Sequence, residues 1–249
     1  MLKIFKKGFC FVLLNLICVN SVSSQITRVT YKSSVYDRDV NLTKSTEEKK
    51  KGQSDKQIGL LKEFMKNQED TEFELLYNKR ESLYQKVEKL SIGEDSKLSK
   101  ILDNNKYYKN LEKQIKFYQR DKPELYNVIV PFDEYKWEIT NEMKMVDGYK
   151  CYKATTTYED IYNPHNDRKL VFTPIVWFTP DIPASFGPKG LDGLPGLVLE
   201  ASINGKKYLY VSKIEFEYNK VKEIERPKRG KDITKEELEA KILENYKKN

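Results

Sequence analysis

Histidine is almost absent from this 249-residue chain, with His165 the only one. Cysteine is scarce as well, at Cys10, Cys18 and Cys151. These shortages narrow the chemistry. A zinc site normally takes about three or four nitrogen or sulfur ligands, and one His with so few Cys cannot assemble the usual sets. A nucleophilic Ser or Cys normally needs an adjacent base. The one imidazole sits in a turn-forming run, Asn163-Pro164-His165-Asn166. His165 beside Asp160 or Asp167 therefore reads as a solvent-exposed turn residue rather than a metal ligand. Also missing are a Gly-x-Ser-x-Gly nucleophile elbow, a glycine-rich phosphate loop ending in Lys-Ser or Lys-Thr, and an Asp-x-Asp-x-Asp-Gly calcium loop. The sequence assigns no catalytic, cofactor-binding or metal-binding residues.

Long apolar runs are scarce too, and the one present is N-terminal. Lys3, Lys6 and Lys7 precede Phe9 to Val19, a run broken by Asn15, and Val22-Ser23-Ser24 follows. That order of positive region, apolar region and small residues is a secretory leader. Residues 1–24 are expected to be a signal peptide cut after Ser24, leaving Gln25 first. A membrane span needs about 20 apolar residues, more than this run supplies. Ile17 is too bulky to precede a lipidated Cys18. The protein is therefore expected in the periplasm, on the cell surface or secreted, with no further transmembrane span. Cys10 and Cys18 leave with the leader, so Cys151 has no partner for an internal disulfide. Packing alone must hold the fold, and a chain of this length buries enough surface for that.

Charge of one sign is not concentrated anywhere. The net charge is +7, and loss of Lys3, Lys6 and Lys7 brings it to +4. Lys and Glu are mixed along the chain without an Arg-rich patch, which argues against nucleic acid as a partner. The Lys- and Glu-rich middle also lacks the apolar-out strands of an outer-membrane barrel.

What is present reads mainly as strands. Val29, Tyr31 and Val35 place a first strand within Gln25 to Val35. Asn41 to Asp55 has nothing to bury and reads as a solvated loop, and Ile58, Leu61, Phe64 and Met65 follow at the spacing of a short amphipathic helix. Residues 72–90 fit either a helix through Leu76, Arg80, Leu83 and Val87 or a hairpin turning at Asn78-Lys79-Arg80-Glu81. Residues 94–116 read as a polar loop or surface segment, and Tyr126 to Pro131 as a short strand. Asp147-Gly148 predicts a two-residue hairpin turn within Trp137 to Tyr158. That register sets Trp137 opposite Tyr158, Ile139 opposite Thr156, Met143 opposite Tyr152 and Met145 opposite Lys150. These are expected to form a core face, with Glu142–Lys153 and Glu138–Thr157 outside. Leu170 to Thr179 is strand-like, with Pro174 at an edge or bulge. Asn204-Gly205 predicts a second hairpin, with Leu199 opposite Tyr210 and Ala201 opposite Tyr208. Ile214, Phe216 and Tyr218 alternate as a last strand. After a charged stretch from Arg226, Thr234-Lys235-Glu236-Glu237 is a capping box for a helix using Leu238 and Ile242.

Between these hairpins lies a Gly- and Pro-rich stretch, Pro180 to Gly196. Pro195-Gly196 suits the centre of a type II turn, because Pro fixes φ and Gly accepts a positive one. Leu197, Leu199, Ala201 and Ile203 then alternate with Val198, Glu200 and Ser202, as in a half-buried strand. Upstream, Pro180, Pro183 and Pro188 with Gly187, Gly190 and Gly193 stiffen and bend a loop expected to be exposed.

Cys151-x-Lys153-Ala154, Trp177-Phe178-Thr179-Pro180-Asp181-Ile182-Pro183, Gly187-Pro188 and Gly193-Leu194-Pro195-Gly196-Leu197-Val198-Leu199-Glu200 occur here in that order. Together they resemble the GLPGLI family over about residues 137–203, and more weakly back to Phe73–Val87. Val198 stands where the family name has Ile. The resemblance implies an exported protein of Gram-negative Bacteroidota and favours strands at 73–87. It implies no activity, because the family carries no established biochemical function, catalytic residue or ligand.

Three groups remain as candidate chemistry. Cys151 faces Lys144 in the hairpin register, which lowers a thiol pKa when nothing opposes it. The more economical reading is an inert packed thiol. Asp181 and Glu200 are a nominal acid pair, although carboxylates are abundant here. The candidate binding loop is Trp177, Phe178, Pro180, Asp181, Ile182, Pro183, Gly193, Leu194, Pro195 and Gly196. Aromatic and Pro groups ordered in advance bind at low entropic cost.

The expected fold is mainly β (α+β), a curved antiparallel sheet or half-barrel with one or two accessory helices. Its domains are a signal peptide at 1–24, a β domain at 25–225 with a helical and polar insertion near 41–70, and a charged tail with a C-terminal helix at 226–249. The expected function is non-enzymatic binding of an apolar ligand or a partner, such as an envelope or outer-membrane protein. The alternative is a carboxylate-dependent hydrolase of the periplasm or cell surface.

Overall fold

A computed structural model describes residues 25–34, 71–87, 105–121, 124–163, 168–205 and 208–248. The expected signal peptide, the helix at Ile58–Met65 and His165 lie outside the described residues.

The strands are β1 (Thr27–Ser34), β2 (Glu72–Tyr77), β3 (Glu81–Lys86), β4 (Lys106–Asn110), β5 (Ile115–Arg120), β6 (Tyr126–Ile129) and β7 (Glu138–Val146). They continue with β8 (Tyr149–Thr155), β9 (Tyr158–Asn163), β10 (Arg168–Phe172), β11 (Ile175–Thr179), β12 (Leu197–Ser202), β13 (Tyr208–Glu215) and β14 (Lys231–Thr234). The helix α1 (Lys235–Lys248) follows. Twelve strands form one curved, unclosed sheet in the order β14-β6-β5-β4-β3-β2-β1-β13-β12-β11-β8-β7. Pairing is antiparallel except between β14 and β6, so the sheet is mixed. β9 and β10 make a separate two-stranded hairpin. The mainly β fold expected from sequence is the one observed.

Local chemistry explains the turns. Asn78 Oδ1 accepts the N–H groups of Arg80 and Glu81 at 2.8 and 3.0 Å. This Asx turn closes the β2–β3 hairpin and resolves the helix-or-strand ambiguity toward strands. Across it, Phe73 and Tyr84 stack with ring centres 5.5 Å apart. Pro174 separates β10 from β11, as a residue without an N–H should. At the start of α1, Thr234 Oγ1 accepts the Glu237 N–H at 3.2 Å and Glu237 Oε2 accepts the Thr234 N–H at 2.9 Å. The capping box read from the sequence is thus formed, and Leu238 beneath it is fully buried.

Several expectations are corrected. Within the segment expected to be polar loop, residues 106–110 form β4 and β5 starts at Ile115. The polar composition masks a strand signal there. In the β7–β8 hairpin, Asp147 and Gly148 take φ values of 47° and 84°, as a tight turn requires. The register holds from Val146–Tyr149 to Met143–Tyr152 and then shifts, so that Ile139 faces Ala154. The expected core face is the exposed one, with Ile139, Met143 and Met145 at 52, 54 and 66% exposure. Val146 and Cys151 face the interior instead. Apolar content alone misjudged this edge strand, because the inward Lys144 finds an ion-pair partner in Glu200. The outer Glu142–Lys153 pair does form, at 2.8 Å.

The β12–β13 register also differs from expectation, with Ala201 opposite Leu209 and Glu200 opposite Tyr210. The strands stop at Ser202 and resume at Tyr208, a wider loop than Asn204-Gly205 alone. β12 is buried on both faces rather than one. Leu197 and Leu199 pack with Val29, Phe73 and Tyr84, whereas Val198 and Ala201 pack with Phe178, Leu191 and Leu194. The charged tail contributes the unforeseen β14 to a sheet edge, and β13 ends at Glu215 with Phe216 exposed.

Candidate functional site

The Gly- and Pro-rich stretch is a strap lying over the sheet rather than an exposed loop. Ile182, Ala184 and Phe186 pack into the larger core, and Leu191 and Leu194 into the second. Only Pro180, Asp181, Pro183, Gly193 and Pro195 of the strap are exposed. Trp177 is half-buried beneath the Lys144 ammonium, 4.6 Å from its ring centre, and Phe178 is buried. Gly196 does not take a positive φ, so Pro195-Gly196 is not a type II turn. Glycine is needed at 196 for a different reason, since a Cβ there would stand 2.1 Å from the Thr179 carbonyl oxygen. The positive φ belongs to Gly193, at 93°.

The strap carries Asp192 inward, and a charged cluster forms around it. Lys109 on β4 and Lys116 on β5 are direct register partners, two pairs away from Tyr107 and Tyr118. Like charges placed opposite each other repel, and a carboxylate answers them. Asp192 Oδ1 accepts from Lys109 Nζ at 2.8 Å and from Lys116 Nζ at 3.3 Å. Lys116 also reaches Glu134 Oε2 at 3.1 Å, and Lys235 at the start of α1 reaches Glu134 Oε1 at 2.6 Å. Aromatic faces support the cations, with Lys109 4.1 Å above Phe132 and Lys116 4.4 Å above Tyr135. Trp137 ties the strap to the start of β7, donating from Nε1 to the Asp192 carbonyl at 2.8 Å.

This cluster lines a cavity of about 210 Å³. Its floor is Tyr84, Tyr107 and Tyr118 on the sheet, and its sides include Tyr135, the β9–β10 hairpin through Tyr158 and Phe172, and the strap from Gly187 to Asp192. Burial pushes the Glu134 carboxyl up, but Lys116 and Lys235 outweigh it and hold the group below the usual carboxylate range. Burial, reinforced by Glu134, holds the Tyr135 phenol well above its ordinary value, so at neutral pH it remains an O–H.

The groups favoured by sequence sit elsewhere. Cys151 is fully buried, and burial, then Glu200, push its thiol up to about 12 against the opposing pull of Lys144. Glu200 is held by Lys144 at 2.8 Å, while Asp181 is exposed, and neither lines the cavity. Sequence reasoning missed Lys109, Lys116, Glu134, Tyr135, Asp192 and Lys235. A signal existed in Lys106-Tyr107-Tyr108-Lys109 and Lys116-Phe117-Tyr118, where Lys and Tyr recur on one face at a strand's period of two. Among the described residues, no group of three or more His, Cys, Asp or Glu is placed to hold a metal ion.

Residues 162–200 match a family described as "Protein of unknown function (Porph_ging)". The match takes in β10, β11, the whole strap with Asp192, and the first part of β12. No curated protein matches the chain. Among solved structures, two of PNGF-II, in space groups P21 and C2, are similar at a TM-score of 0.51 each, with 16% and 15% identity. Each match covers 88% of this chain and 33% of the PNGF-II chain, so the present sequence spans about one third of that protein's length. At this identity the likeness concerns the fold. Among the described residues, no helix is long and apolar enough to cross a membrane.

Proposed function

We propose that this chain is an exported, non-enzymatic binding protein of the GLPGLI type that takes a small polar ligand in the tyrosine-lined cavity beneath the strap. One observation carries the reading. Lys109, Asp192, Lys116, Glu134 and Lys235 form a continuous ion-paired chain that faces a cavity rather than sealing a core. Buried charges destabilise a fold unless they are paired, and a polar network beside an open volume suits ligand recognition. Ligand sites combine ring faces with a few convergent polar groups. Those two features favour a polar ligand over the apolar one suggested by the sequence. The strap enters the site through its inner wall, Gly187 to Asp192, rather than through its exposed Pro and Gly positions.

A ligand that binds only the folded state raises the unfolding temperature with its concentration. Thermal unfolding of the full chain against a library of small polar compounds is expected to give saturable upward shifts. Tyr158→Ala and Lys116→Met should remove them. The reading fails if no compound shifts the transition, or if the shifts survive both substitutions.

A further inference from the structure

The cavity carries an uneven charge. Lys109, Lys116, Arg120, Lys189 and Lys235 line it, against Glu134, Asp160 and Asp192. Within the ion-paired chain itself, three ammonium groups face two carboxylates, and Lys109 and Lys116 have side chains only 6% and 5% exposed. An ammonium carries three donors. Among the described residues Lys235 meets one carboxylate oxygen, at 2.6 Å, and Lys116 meets two carboxylates. Lys109 also donates to the Phe132 carbonyl at 3.4 Å and Lys116 faces the Tyr135 ring, so the donors beyond the carboxylates belong to Lys235, which lines the cavity. An anion placed there would complete the chain Lys109–Asp192–Lys116–Glu134–Lys235 with a third negative group.

Size and lining narrow the remainder of the ligand. An apolar cavity of about 150 Å³ holds benzene, so about 210 Å³ suits a single six-membered ring with a substituent. Ring faces from Tyr107, Tyr135 and Tyr158 offer flat apolar surface, and Ser82, Asn105 and the tyrosine hydroxyls offer polar edges. A hydroxylated ring matches those polar atoms at its edge while still stacking on tyrosine, whereas a purely aromatic acid sets a bare hydrocarbon edge against them.

We propose that the ligand is an anionic monosaccharide whose acid group is held by Lys235 and whose ring lies against the tyrosines. This rests on the reading of the cavity as a ligand site. A carboxylate and a phosphate share the chemistry that this ammonium recognises, and the test separates them.

Calorimetry of the full chain with glucuronate, glucose 6-phosphate, glucose, benzoate and inorganic phosphate provides that test. At least one of the two charged sugars is expected to bind tenfold or more tightly than glucose, benzoate and phosphate. Which of the two binds more tightly identifies the acid group. Lys235→Gln should reduce the charged-sugar affinity to that of glucose, Lys235→Arg should restore it, and the thermal midpoint should stay within a few degrees in both. The proposal is overturned if glucose or benzoate binds as tightly as the charged sugars, or if Lys235→Gln leaves the preference intact. It is also overturned if none of the five binds while other polar compounds occupy the cavity, in which case the binding reading survives alone. If no compound of any class occupies the cavity, both readings fall.

Discussion

Lys109 and Lys116 stand directly opposite one another on β4 and β5, and a single oxygen of Asp192 accepts from both ammonium groups. The carboxylate comes from a strap more than seventy residues further along the chain, so the strap and this end of the sheet stabilise each other. Removing one partner from a buried ion pair leaves the other charge uncompensated, at a cost of about 3–5 kcal/mol. Asp192→Asn, which keeps the shape and removes the charge, should lower stability by about that amount in urea unfolding. Lys109→Met in the same chain should recover part of the loss, because fewer like charges then oppose each other. Equal stability of Asp192→Asn and wild type would show that the strap is not held by this charge.

The same network makes stability fall in acid. Glu134 has a carboxyl held below its unfolded value in the folded chain. A depressed folded value means that the unfolded state takes up the proton first as pH falls. The stabilisation is complete above the ordinary Glu value of about 4.3 and is lost as pH drops from there through the folded value. Glu134→Gln should therefore flatten the acid limb of a stability–pH profile below about pH 4.3 while lowering the plateau at neutral pH. An unchanged acid limb in that variant would assign the acid sensitivity to other carboxylates.

These two predictions concern residues that sequence reasoning passed over, and the reason is physical. Turns and caps are local, so Asp147-Gly148, Thr234 with Glu237, and the break at Pro174 were all readable from their own neighbourhoods. A strand face is not local. Lys109 and Lys116 read as solvated because nothing nearby in sequence neutralises them, and Asp192 reaches them only once the strap has folded back. Met143 and Met145 read as core for the mirror-image reason, since their exposure follows from Lys144 on the opposite face finding Glu200 on β12. Gly196 was recognised as special but for the wrong cause, because its close neighbour, Thr179, lies across the strap rather than within the turn.

Glycine at 196 and glycine at 193 should respond differently to substitution. In Gly196→Ala the new Cβ meets the Thr179 carbonyl oxygen at 2.1 Å, and that oxygen is backbone that cannot rotate away. At Gly193 the nearest atom to a new Cβ is 3.8 Å away on Trp137, so only the positive φ of 93° opposes the side chain. Gly193→Ala should cost about 1–2 kcal/mol, the penalty of a left-handed backbone, and Gly196→Ala distinctly more. Chemical denaturation of the two variants side by side measures the difference. Equal losses would mean that the strap shifts to relieve the contact.

Export, a proposal that rests on residues 1–24, can be checked directly. Lys3, Lys6, Lys7 and the apolar run to Val19 are expected to direct secretion, with cleavage between Ser24 and Gln25. Mass spectrometry of the protein recovered from fractionated cells should find Gln25 at its start, outside the cytoplasm. Leu13→Arg with Leu14→Arg, which breaks the apolar run, should leave an uncut precursor in the cytoplasm. A full-length chain in the membrane fraction would instead identify residues 1–24 as an anchor.

Cys151 should behave as packing rather than chemistry. Its thiol is fully buried, donates to the Tyr149 carbonyl at 3.6 Å, and is pushed up to about 12 by burial and then by Glu200. Thiolate is the reactive form, so at neutral pH almost none is present, and solvent cannot reach it. A thiol reagent such as an aromatic disulfide should react with the folded protein only at the rate of unfolding, and rapidly in denaturant. Cys151→Ala removes one sulfur from a dense interior and should cost about 1–3 kcal/mol without altering ligand binding, since Cys151 does not line the cavity. Rapid labelling of the folded chain, or loss of binding in Cys151→Ala at an unchanged thermal midpoint, would return this residue to consideration as a functional group.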